Sequence, residues 1–404
     1  MLKTRGSTPQ NSHTERQTMF PIEEFQKQRT PFYYYDTELL RQTLEQIRLC
    51  TDPHMHVHYA VKACANPKVL AIIAQEGFGA DCVSGGEIHA ALNAGFPAEK
   101  IVYAGVGKSD WEIELGLDAN IFAFNVESVP ELEIINQLAI KNNKKARVAF
   151  RINPNVGAHT HANITTGLAE NKFGIDMQDM ENVIGMTSKM EGVEFIGLHF
   201  HIGSQILDME DFVALSHRIN EIQDRLEKAG IPTISNINVG GGLGIDYKLP
   251  DTNSIPDFQS YFSTYRKHLN MRPGQQLHFE LGRAIVAQCG TLISRVLYIK
   301  SNPIKNFCIV DAGMTDLIRP ALYGSYHHIE NLTAEDDKDY VTYDVVGPIC
   351  ESSDVFIKNY GMPRSQRGDL IAFRSAGAYG EIMASSYNCR TLPQGYTTED
   401  LQAK

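Results

Sequence analysis

The sequence predicts an α/β protein with a TIM-like (β/α)8 barrel and a second, mostly antiparallel β domain. Between residues 57 and 283, eight short apolar runs alternate with amphipathic segments, which is the pattern of a barrel of parallel strands and surrounding helices. Beyond about residue 285, the runs become β-branched or aromatic and are separated by Gly, Pro and Asn, which is typical of antiparallel strands. A doubly wound open sheet has the same periodicity as a barrel and stays open as an alternative.

The barrel strands are predicted from the apolar runs, and the helices from the segments between them. One helix is expected to begin at Pro67, because proline suits the first helical turn, and another spans residues 131–142. The predicted strands occupy residues 57–62, 79–83, 101–105, 121–126, 147–152, 195–202, 237–241 and 277–281.

The β domain is predicted from two separate parts of the chain. The aromatic segment 31–36 reads as a strand, and we expect it to pair with the later strands before the chain enters the barrel. We therefore assign residues 37–285 to the barrel, and residues 19–36 and 286–404 to the β domain. Residues 1–18 are polar and lack an apolar core, so we expect a disordered leader and not a secretory signal. The later strands are predicted at 291–300, 307–311, 340–346 and 369–373.

Composition argues against several classes of partner. The 404 residues carry a net charge of −11 and no dense Lys/Arg run, so neither nucleic acid nor an anionic membrane is expected as a partner. No apolar window has the length of a membrane span. The seven cysteines are odd in number and scattered, which favours free thiols and a reducing, cytoplasmic location.

Candidate functional residues stand where predicted barrel strands end, which is where barrel enzymes place their active sites. Lys62 ends the first strand, where desolvation would lower the pKa of its ammonium and suit a nucleophile, although most lysines simply lie at the surface. The fifth strand carries Arg151. The sixth carries His199 and His201 on one face, either as ligand contacts or as satisfied core residues.

Two further segments offer groups suited to an anion. Ser204 follows His201 and provides a hydroxyl next to a glycine amide. The run 240–244 holds four glycines, among them Gly241 and Gly242, so its amides can approach an anion closely. The following residues are loop-like, which disfavours a dinucleotide-binding fingerprint and leaves a plain tight turn as the alternative.

The eighth strand and the β domain contribute charged groups and a thiol. Glu280 could oppose a protonated pyridine nitrogen, and Arg283 could bind a phosphate or carboxylate; an internal Glu–Arg pair is the alternative. Cys350 adjoins Glu351 in a predicted loop and is either an acid/base group or a buried inert thiol. Tyr379 lies among small residues. Arg319 and Tyr323 add a cation and a phenol, and His327 and His328 are interpreted as a loop pair.

A metal site is the competing interpretation of the first strand. His54, His56 and His58 alternate there, and a His-x-His pair on a barrel strand can ligate zinc. The triplet begins before the strand core and no aspartate closes the eighth strand, so a metal hydrolase is disfavoured and no metal is expected.

The ordered set of motifs resembles the fold-type III pyridoxal-phosphate decarboxylases, and within them the group that acts on diaminopimelate. The similarity extends from about residue 30 to 390. Leu281 departs from the family pattern, which usually has proline there. A segment from Asn163 to Ile175 also resembles the substrate-side loop of the family. The motifs are YAVKA, HFHIGSQ, GGGLG, ELGR, RPALY, GPICESSD and GAYG.

The resemblance implies a role for each candidate. Lys62 would attach the cofactor covalently, His201 would stack on its ring, and Cys350 would donate a proton. The residues that would hold pyridoxal 5'-phosphate are Arg151, Ser204, Gly241, Gly242, Glu280, Gly282, Arg283 and Tyr379. Arg283, Arg319, Tyr323, Glu351 and Tyr379 would bind the amino-acid substrate.

The reaction that the resemblance implies is decarboxylation of meso-2,6-diaminopimelate to L-lysine, the last step of lysine biosynthesis, in a homodimer whose subunits share active sites. Decarboxylases of D-ornithine, D-lysine or carboxynorspermidine on the same fold are the nearest alternatives. A racemase of the same fold is a further alternative, and so is an inactive paralogue that regulates a partner.

Overall fold

The computed structural model describes residues 19–156, 172–335 and 339–402. The predicted leader and most of the loop that begins at Asn163 lie outside these residues. The chain divides into two compact units: a barrel unit of Gln42–Gly244 and Pro256–Ile285, and a β unit that holds the described residues up to Arg41, the segment Ile245–Ile255 and those from Val286 onward. Residues 37–41 and Ile245–Ile255 were assigned to the barrel from the sequence, but in the structure they group with the β unit, where Asp251 forms an ion pair with Arg374.

The barrel unit contains a closed barrel of eight parallel strands, which confirms the predicted fold class and excludes the open sheet. A first strand, β1 (Phe32–Tyr35), precedes it. The barrel closes where the first of its strands pairs with the last, with Val57 opposite Phe279. Its strands are β2 (Met55–Ala60), β3 (Gly79–Cys82), β4 (Ile101–Tyr103), β5 (Ala123–Val126), β6 (Ala146–Arg151), β7 (Val193–His199), β8 (Asn236–Asn238) and β9 (Gln276–Leu281).

Helices follow the strands because capping residues stand directly after the strand ends. The side chains of Asn66, Ser84 and Ser128 accept hydrogen bonds from backbone amides in the first turns of the helices that follow them. The helices that follow barrel strands are Pro67–Gln75, Gly85–Asn93, Asp110–Ala119, Val129–Lys141, Met180–Thr187, Met209–Lys228 and Phe258–His268; Thr37–Cys50 leads into β2.

The β unit is built on one branched sheet that is mostly antiparallel. Its additional strands are β10 (Gly290–Ser301), β11 (Asn306–Val310), β12 (Ile329–Asn331), β13 (Tyr340–Val346), β14 (Val355–Pro363), β15 (Leu370–Phe373) and β16 (Gln394–Thr397). The strand order is β12–β15–β10–β11–β13–β14, and β1 joins the sheet through an antiparallel pairing with β10 and a parallel pairing with β16. The aromatic segment therefore pairs with the later strands as expected.

Burial of aromatic side chains explains why β1 belongs to this sheet. Phe32 and Tyr34 are buried against Phe25, with ring centroids 5.4 and 5.0 Å from the Phe25 ring. Burying a ring of this size stabilises a fold by about 1.5–3 kcal/mol. Ile293 and Leu370 belong to the same apolar cluster. The N-terminal segment is thus held to the unit by its own aromatic residues.

Two observations bear on membrane and redox chemistry. Within the described ranges, every helix is too short or too polar to cross a membrane. All seven cysteines are free thiols, as the sequence predicted, and Cys350 and Cys389 are the exposed ones.

Candidate active site

Lys62 lies in a short turn at the carboxyl end of the first barrel strand. The sequence analysis made it the last strand residue, but the strand ends at Ala60 and Lys62 occupies a 3-10 turn, Val61–Ala63. Its side chain is 38% exposed, and its Nζ lies 2.5 Å from Oδ2 of the buried Asp81 on β3. The turn therefore presents a salt-bridged ammonium at the barrel's carboxyl end and not the desolvated amine that was expected.

Glu280 is a buried carboxylate at this end of the barrel that accepts hydrogen bonds from three side chains. Its Oε1 accepts hydrogen bonds from the side-chain amides of Asn125 at 3.0 Å and Asn238 at 2.8 Å. Its Oε2 lies 3.0 Å from Nε2 of His199, and that nitrogen is the donor because an ionised carboxylate only accepts. A carboxylate has about four lone-pair sites, so three donors leave room for one further N–H.

The surroundings of Glu280 favour its ionised form. Burial by itself would raise the pKa of this carboxyl group, but the contact with His199 and the nearby charge of Lys62 hold the pKa well below its usual range. Asp81 behaves in the opposite way, because burial and the neighbouring Glu280 charge raise its pKa to about 6 against the opposing effect of Lys62. The barrel end thus contains two carboxyl groups of very different acidity.

His201 is a neutral imidazole with a defined tautomer. Desolvation and the positive charge of Arg151 lower its pKa to about 3. Its Nδ1 accepts the backbone N–H of Gly241 at 3.3 Å, so the ring proton is on Nε2. The flat, uncharged ring suits stacking against another ring.

The glycine run of residues 240–244 packs tightly on two neighbouring segments. A side chain at Gly241 would place its Cβ 1.8 Å from the carbonyl oxygen of Glu280, and Gly242 has φ +109°. The backbones of Ile206 and Gly242 are joined by a 2.8 Å hydrogen bond. Nη2 of Arg283 donates to Oγ of Ser204 at 2.9 Å. A cation and a hydroxyl therefore meet near a backbone segment that has no side chains to block a ligand, and these two groups are donors suited to phosphate.

Gly282 and Arg151 also lie at this end of the barrel. A Cβ at Gly282 would lie 3.0 Å from the Cβ atoms of Ala60 and Ala63, so glycine lets the last strand end pack closely against the lysine turn. Arg151 is buried, pairs with Glu127 at 2.9 Å, and lies over the ring of Phe173 at 4.6 Å. Leu281, which stands where the family usually has proline, is the buried last residue of β9. The strand therefore continues to this position with leucine in place of proline.

In the β unit, the loop that carries Cys350 and Glu351 is held by hydrogen bonds. Oδ2 of Asp354 accepts the backbone N–H of Ile349 at 2.7 Å. The Cys350 N–H donates to the side chain of Asn388 at 3.1 Å, and the Tyr387 hydroxyl donates to Glu351 at 2.8 Å. Cys350 and Glu351 are both exposed, so the alternative of a buried inert thiol is wrong.

The remaining candidates of the β unit lie in two places. Arg319 is buried at the start of a short helix, Arg319–Tyr323, whose last residue is the partly buried Tyr323. Tyr379 is partly buried and has φ +58°, a left-handed conformation that non-glycine residues seldom adopt and that is concentrated at functional sites.

Several residues of the site were missed from the sequence. Asp81 and Asn125 lie within β3 and β5, Asn238 ends β8, and all three are buried. Because polar side chains are seldom buried without a partner, a carboxylate or amide inside an apolar run is a signal that could have found them. Glu127, the partner of Arg151, follows β5 directly, which is the position that identified the other candidates.

The histidines considered for metal binding lie at the start of the first barrel strand. His58 is buried, its Nε2 lies 3.0 Å from Nδ1 of His278, and His56 contacts Gln276 at 2.9 Å. Within the described ranges, no three His, Cys, Asp or Glu side chains are arranged to hold a metal ion.

Comparisons with known proteins agree with this geometry. Residues 38–287 match the family model described as "Pyridoxal-dependent decarboxylase, pyridoxal binding domain". This chain belongs to the pyridoxal-dependent decarboxylases. Among its relatives, a protein of Bacteroides thetaiotaomicron named diaminopimelate decarboxylase is 66% identical over 385 residues, which cover 95% of this chain and 99% of the relative.

Solved structures similar to this chain also carry the name diaminopimelate decarboxylase. Diaminopimelate decarboxylase from Helicobacter pylori, complexed with L-lysine, is 40% identical with a TM-score of 0.88 and covers 94% of each chain. The enzyme of that name from M. jannaschii, also in complex with L-lysine, is 36% identical with a TM-score of 0.85, over 95% of this chain and 93% of the other.

Pyridoxal phosphate is the cofactor of this family, and the residues at the barrel end fit it. The lysine supplies an amine, the ionised Glu280 keeps an acceptor site for a pyridinium N–H, and Ser204 and Arg283 supply phosphate donors. Oδ1 of Asp81 is buried and has no hydrogen-bond partner among the described residues. A polar ligand at this end would supply one.

Proposed function

We propose that the chain decarboxylates meso-2,6-diaminopimelate to L-lysine and carbon dioxide, the last step of lysine biosynthesis. The observation that carries the proposal is the buried, ionised Glu280 at the same barrel end as Lys62, with phosphate donors beside them. That combination matches a pyridinium cofactor with a phosphate group. The 66% identical relative is named for this substrate.

Most of the cofactor contacts come from the barrel unit. Lys62 would attach the cofactor, Glu280 would bind its pyridine nitrogen, and His201 would lie against its ring. Arg151 would lie near that ring, and Tyr379 of the β unit would also contact the cofactor. The phosphate of the cofactor would be held by Ser204, Gly241, Gly242 and Arg283. Gly282 belongs to the backbone that adjoins this phosphate site. When bound, pyridoxal phosphate would supply an electron-withdrawing ring that stabilises the electron pair left on the α-carbon when the carboxylate departs.

Each residue has a physical task in this scheme. Glu280 opposes the positive charge of the ring nitrogen, and its three existing hydrogen bonds keep it ionised and aimed. His201 is neutral, so it adds no charge beside the ring. The C–C bond to the departing carboxylate breaks and its electron pair stays on the α-carbon. The Cys350 thiol then supplies the proton that this carbon gains.

The substrate has a distal ammonium and a distal carboxylate as well as the reacting group. Glu351 would pair with the ammonium, and Arg319, Tyr323 and Arg283 would bind carboxylate, with Tyr379 beside the cofactor. A decarboxylase whose substrate lacks the distal carboxylate would not need this set of cations. These charges favour diaminopimelate over D-ornithine and D-lysine.

We further infer a cytoplasmic homodimer with shared active sites. Cys350 and Glu351 lie on an exposed loop of the β unit, so a partner subunit can cover them and receive them in its own barrel end. Two equivalent sites would follow from a two-fold interface. The seven free thiols suit a reducing compartment.

The test is carbon dioxide release from meso-diaminopimelate with and without added pyridoxal phosphate. D-ornithine, D-lysine and carboxynorspermidine serve as comparison substrates. Cofactor-dependent release with lysine as product, preferring diaminopimelate, is expected. Lys62→Ala should lower turnover at least about a thousandfold, because the amine nucleophile is lost. Lys68→Ala, which removes an exposed lysine of the next helix, is the matched control. Release only from a comparison substrate, or near-normal turnover in Lys62→Ala, would refute the scheme.

A further inference from the structure

The Arg319 guanidinium is enclosed by two side chains that the scheme above does not use. Its Nη1 lies 2.9 Å from Nε2 of His327, and its Cζ lies over the ring of Tyr247, 5.0 Å from the centroid. The rings of His327 and Tyr247 are themselves in edge-to-face contact, with centroids 5.3 Å apart and an angle of 80°. All three residues belong to the β unit.

The hydrogen bonds of His327 define its tautomer. Its Nδ1 lies 2.9 Å from the carbonyl oxygen of Arg374, and a carbonyl oxygen only accepts, so Nδ1 carries the proton. Nε2 therefore has a free lone pair, which accepts from Arg319, because a guanidinium only donates. The buried imidazole is thus an uncharged link between a backbone carbonyl and the arginine.

The carbonyl that anchors this link is itself held in place. The Arg374 side chain forms ion pairs with Glu330 at 2.7 Å and with Asp251 at 2.5 Å. Its backbone N–H donates to the carbonyl of His328 at 2.9 Å. Rotation of the His327 ring would break a hydrogen bond at both nitrogens, so its position is determined from both sides.

We propose that His327 and Tyr247 are positioning residues that fix the orientation of Arg319 and thereby set the preference for a substrate with a distal carboxylate. The inference rests on the proposed function, in which Arg319 binds that carboxylate. An arginine that already points its planar group at the ligand loses less rotational freedom on binding, and a bidentate contact with carboxylate depends on this plane. His327 and His328, which were predicted to be a loop pair, therefore differ in role: His327 positions Arg319, and His328 does not.

The decisive variants are His327→Asn and His327→Gln. Asparagine can still donate to the Arg374 carbonyl from the position of Nδ1, but it is too short to reach Arg319. Glutamine can place its oxygen near the position of Nε2 and accept from Arg319 again. His328→Asn is the matched control, because that neighbouring histidine is also buried but contacts Tyr360 and Glu330.

Steady-state kinetics of the cofactor-loaded enzyme with meso-diaminopimelate and with D-lysine, which lacks the distal carboxylate, test the inference. We expect His327→Asn to raise KM for diaminopimelate about tenfold with kcat nearly unchanged, and to leave kcat/KM for D-lysine unaltered. His327→Gln should restore KM to within about threefold, and Tyr247→Leu should raise it in the same selective way. His328→Asn should leave KM unchanged.

Two outcomes would overturn the inference alone: an unchanged KM for diaminopimelate in His327→Asn, or an equal loss with both substrates. Thermal unfolding of each variant shows whether such an equal loss comes from a damaged fold. If the wild-type enzyme releases no carbon dioxide from diaminopimelate, the proposed function fails first and the inference fails with it.

Discussion

The Nζ of Lys62 lies 2.5 Å from Oδ2 of Asp81, a fully buried carboxylate on the neighbouring barrel strand. The ion pair joins the lysine turn to the interior of the barrel. It also explains why the carboxyl group does not simply stay neutral: burial and the Glu280 charge raise its pKa to about 6, and Lys62 acts in the opposite direction. The stability of the cofactor-free protein should therefore depend on this pair.

Lys62→Ala should destabilise the cofactor-free protein more at pH 8 than at pH 5. A carboxyl group with a raised pKa in the folded state loses stability as pH rises from about 4 through its folded pKa. Removing the cation raises that pKa further, so the loss continues to higher pH, at about 1.4 kcal/mol for each added unit. Denaturant midpoints at both pH values measure this. The double variant with Asp81→Asn lacks the titrating group, so its midpoint should show no extra loss at pH 8; an equal loss in both variants would contradict the prediction.

Glu280→Gln should lower kcat by about a hundredfold or more, since a neutral amide cannot oppose the charge on a ring nitrogen. KM for diaminopimelate should change little, because no contact with the substrate is assigned to Glu280. Steady-state kinetics at saturating pyridoxal phosphate provide the measurement. Glu194→Gln, at an exposed position on β7, is the control. A variant with normal kcat would show that the charge of Glu280 is not needed.

His201→Phe should make the cofactor-free protein less sensitive to acid. Because the folded-state pKa of His201 is lowered to about 3, the unfolded chain binds a proton between pH 6.5 and 3 that the folded chain does not. Stability therefore falls with pH in this window, by up to about 1.4 kcal/mol per pH unit from this residue. Denaturant midpoints between pH 6.5 and 5 should show a shallower slope in the variant. The control variant His89→Gln, at an exposed helix position, should keep the wild-type slope. Equal slopes in the wild type and both variants would show that His201 does not contribute to the acid sensitivity of folding.

Mixing two inactive variants tests the shared active sites. If Cys350 acts in the partner's barrel end, a heterodimer of Lys62→Ala and Cys350→Ala contains one complete site. Random exchange should then restore about a quarter of wild-type activity, since half of the dimers are mixed and each has one of two sites intact. Lys62→Ala mixed with Glu280→Gln should stay inactive, because both residues come from the same barrel unit. Failure to recover activity after demonstrated subunit exchange would argue that each site is built from one chain.

Much of the barrel could be predicted from the sequence because strand periodicity and apolar burial are local properties. The eight predicted strands coincide with β2 to β9 to within a few residues. Lys62, His201, Glu280 and Arg283 were found because a barrel brings the carboxyl ends of its strands together, whatever their separation in the chain. The aromatic segment 31–36 was read as a strand of the β domain, and in the structure Phe32 and Tyr34 pack in the apolar cluster of that unit.

The sequence by itself therefore determined the fold class, the positions of the barrel strands and most of the charged groups at the barrel end. Tertiary structure decided the partners of those groups. Asp81 pairs with Lys62, Asn125 and Asn238 donate hydrogen bonds to Glu280, and His327 accepts a hydrogen bond from Arg319. These contacts join residues as far as 155 positions apart in the chain. Periodicity reports which face of an element is buried, whereas the acidity of Glu280, the tautomer of His327 and the place of Ile245–Ile255 in the β unit depend on the side chains that folding brings beside them.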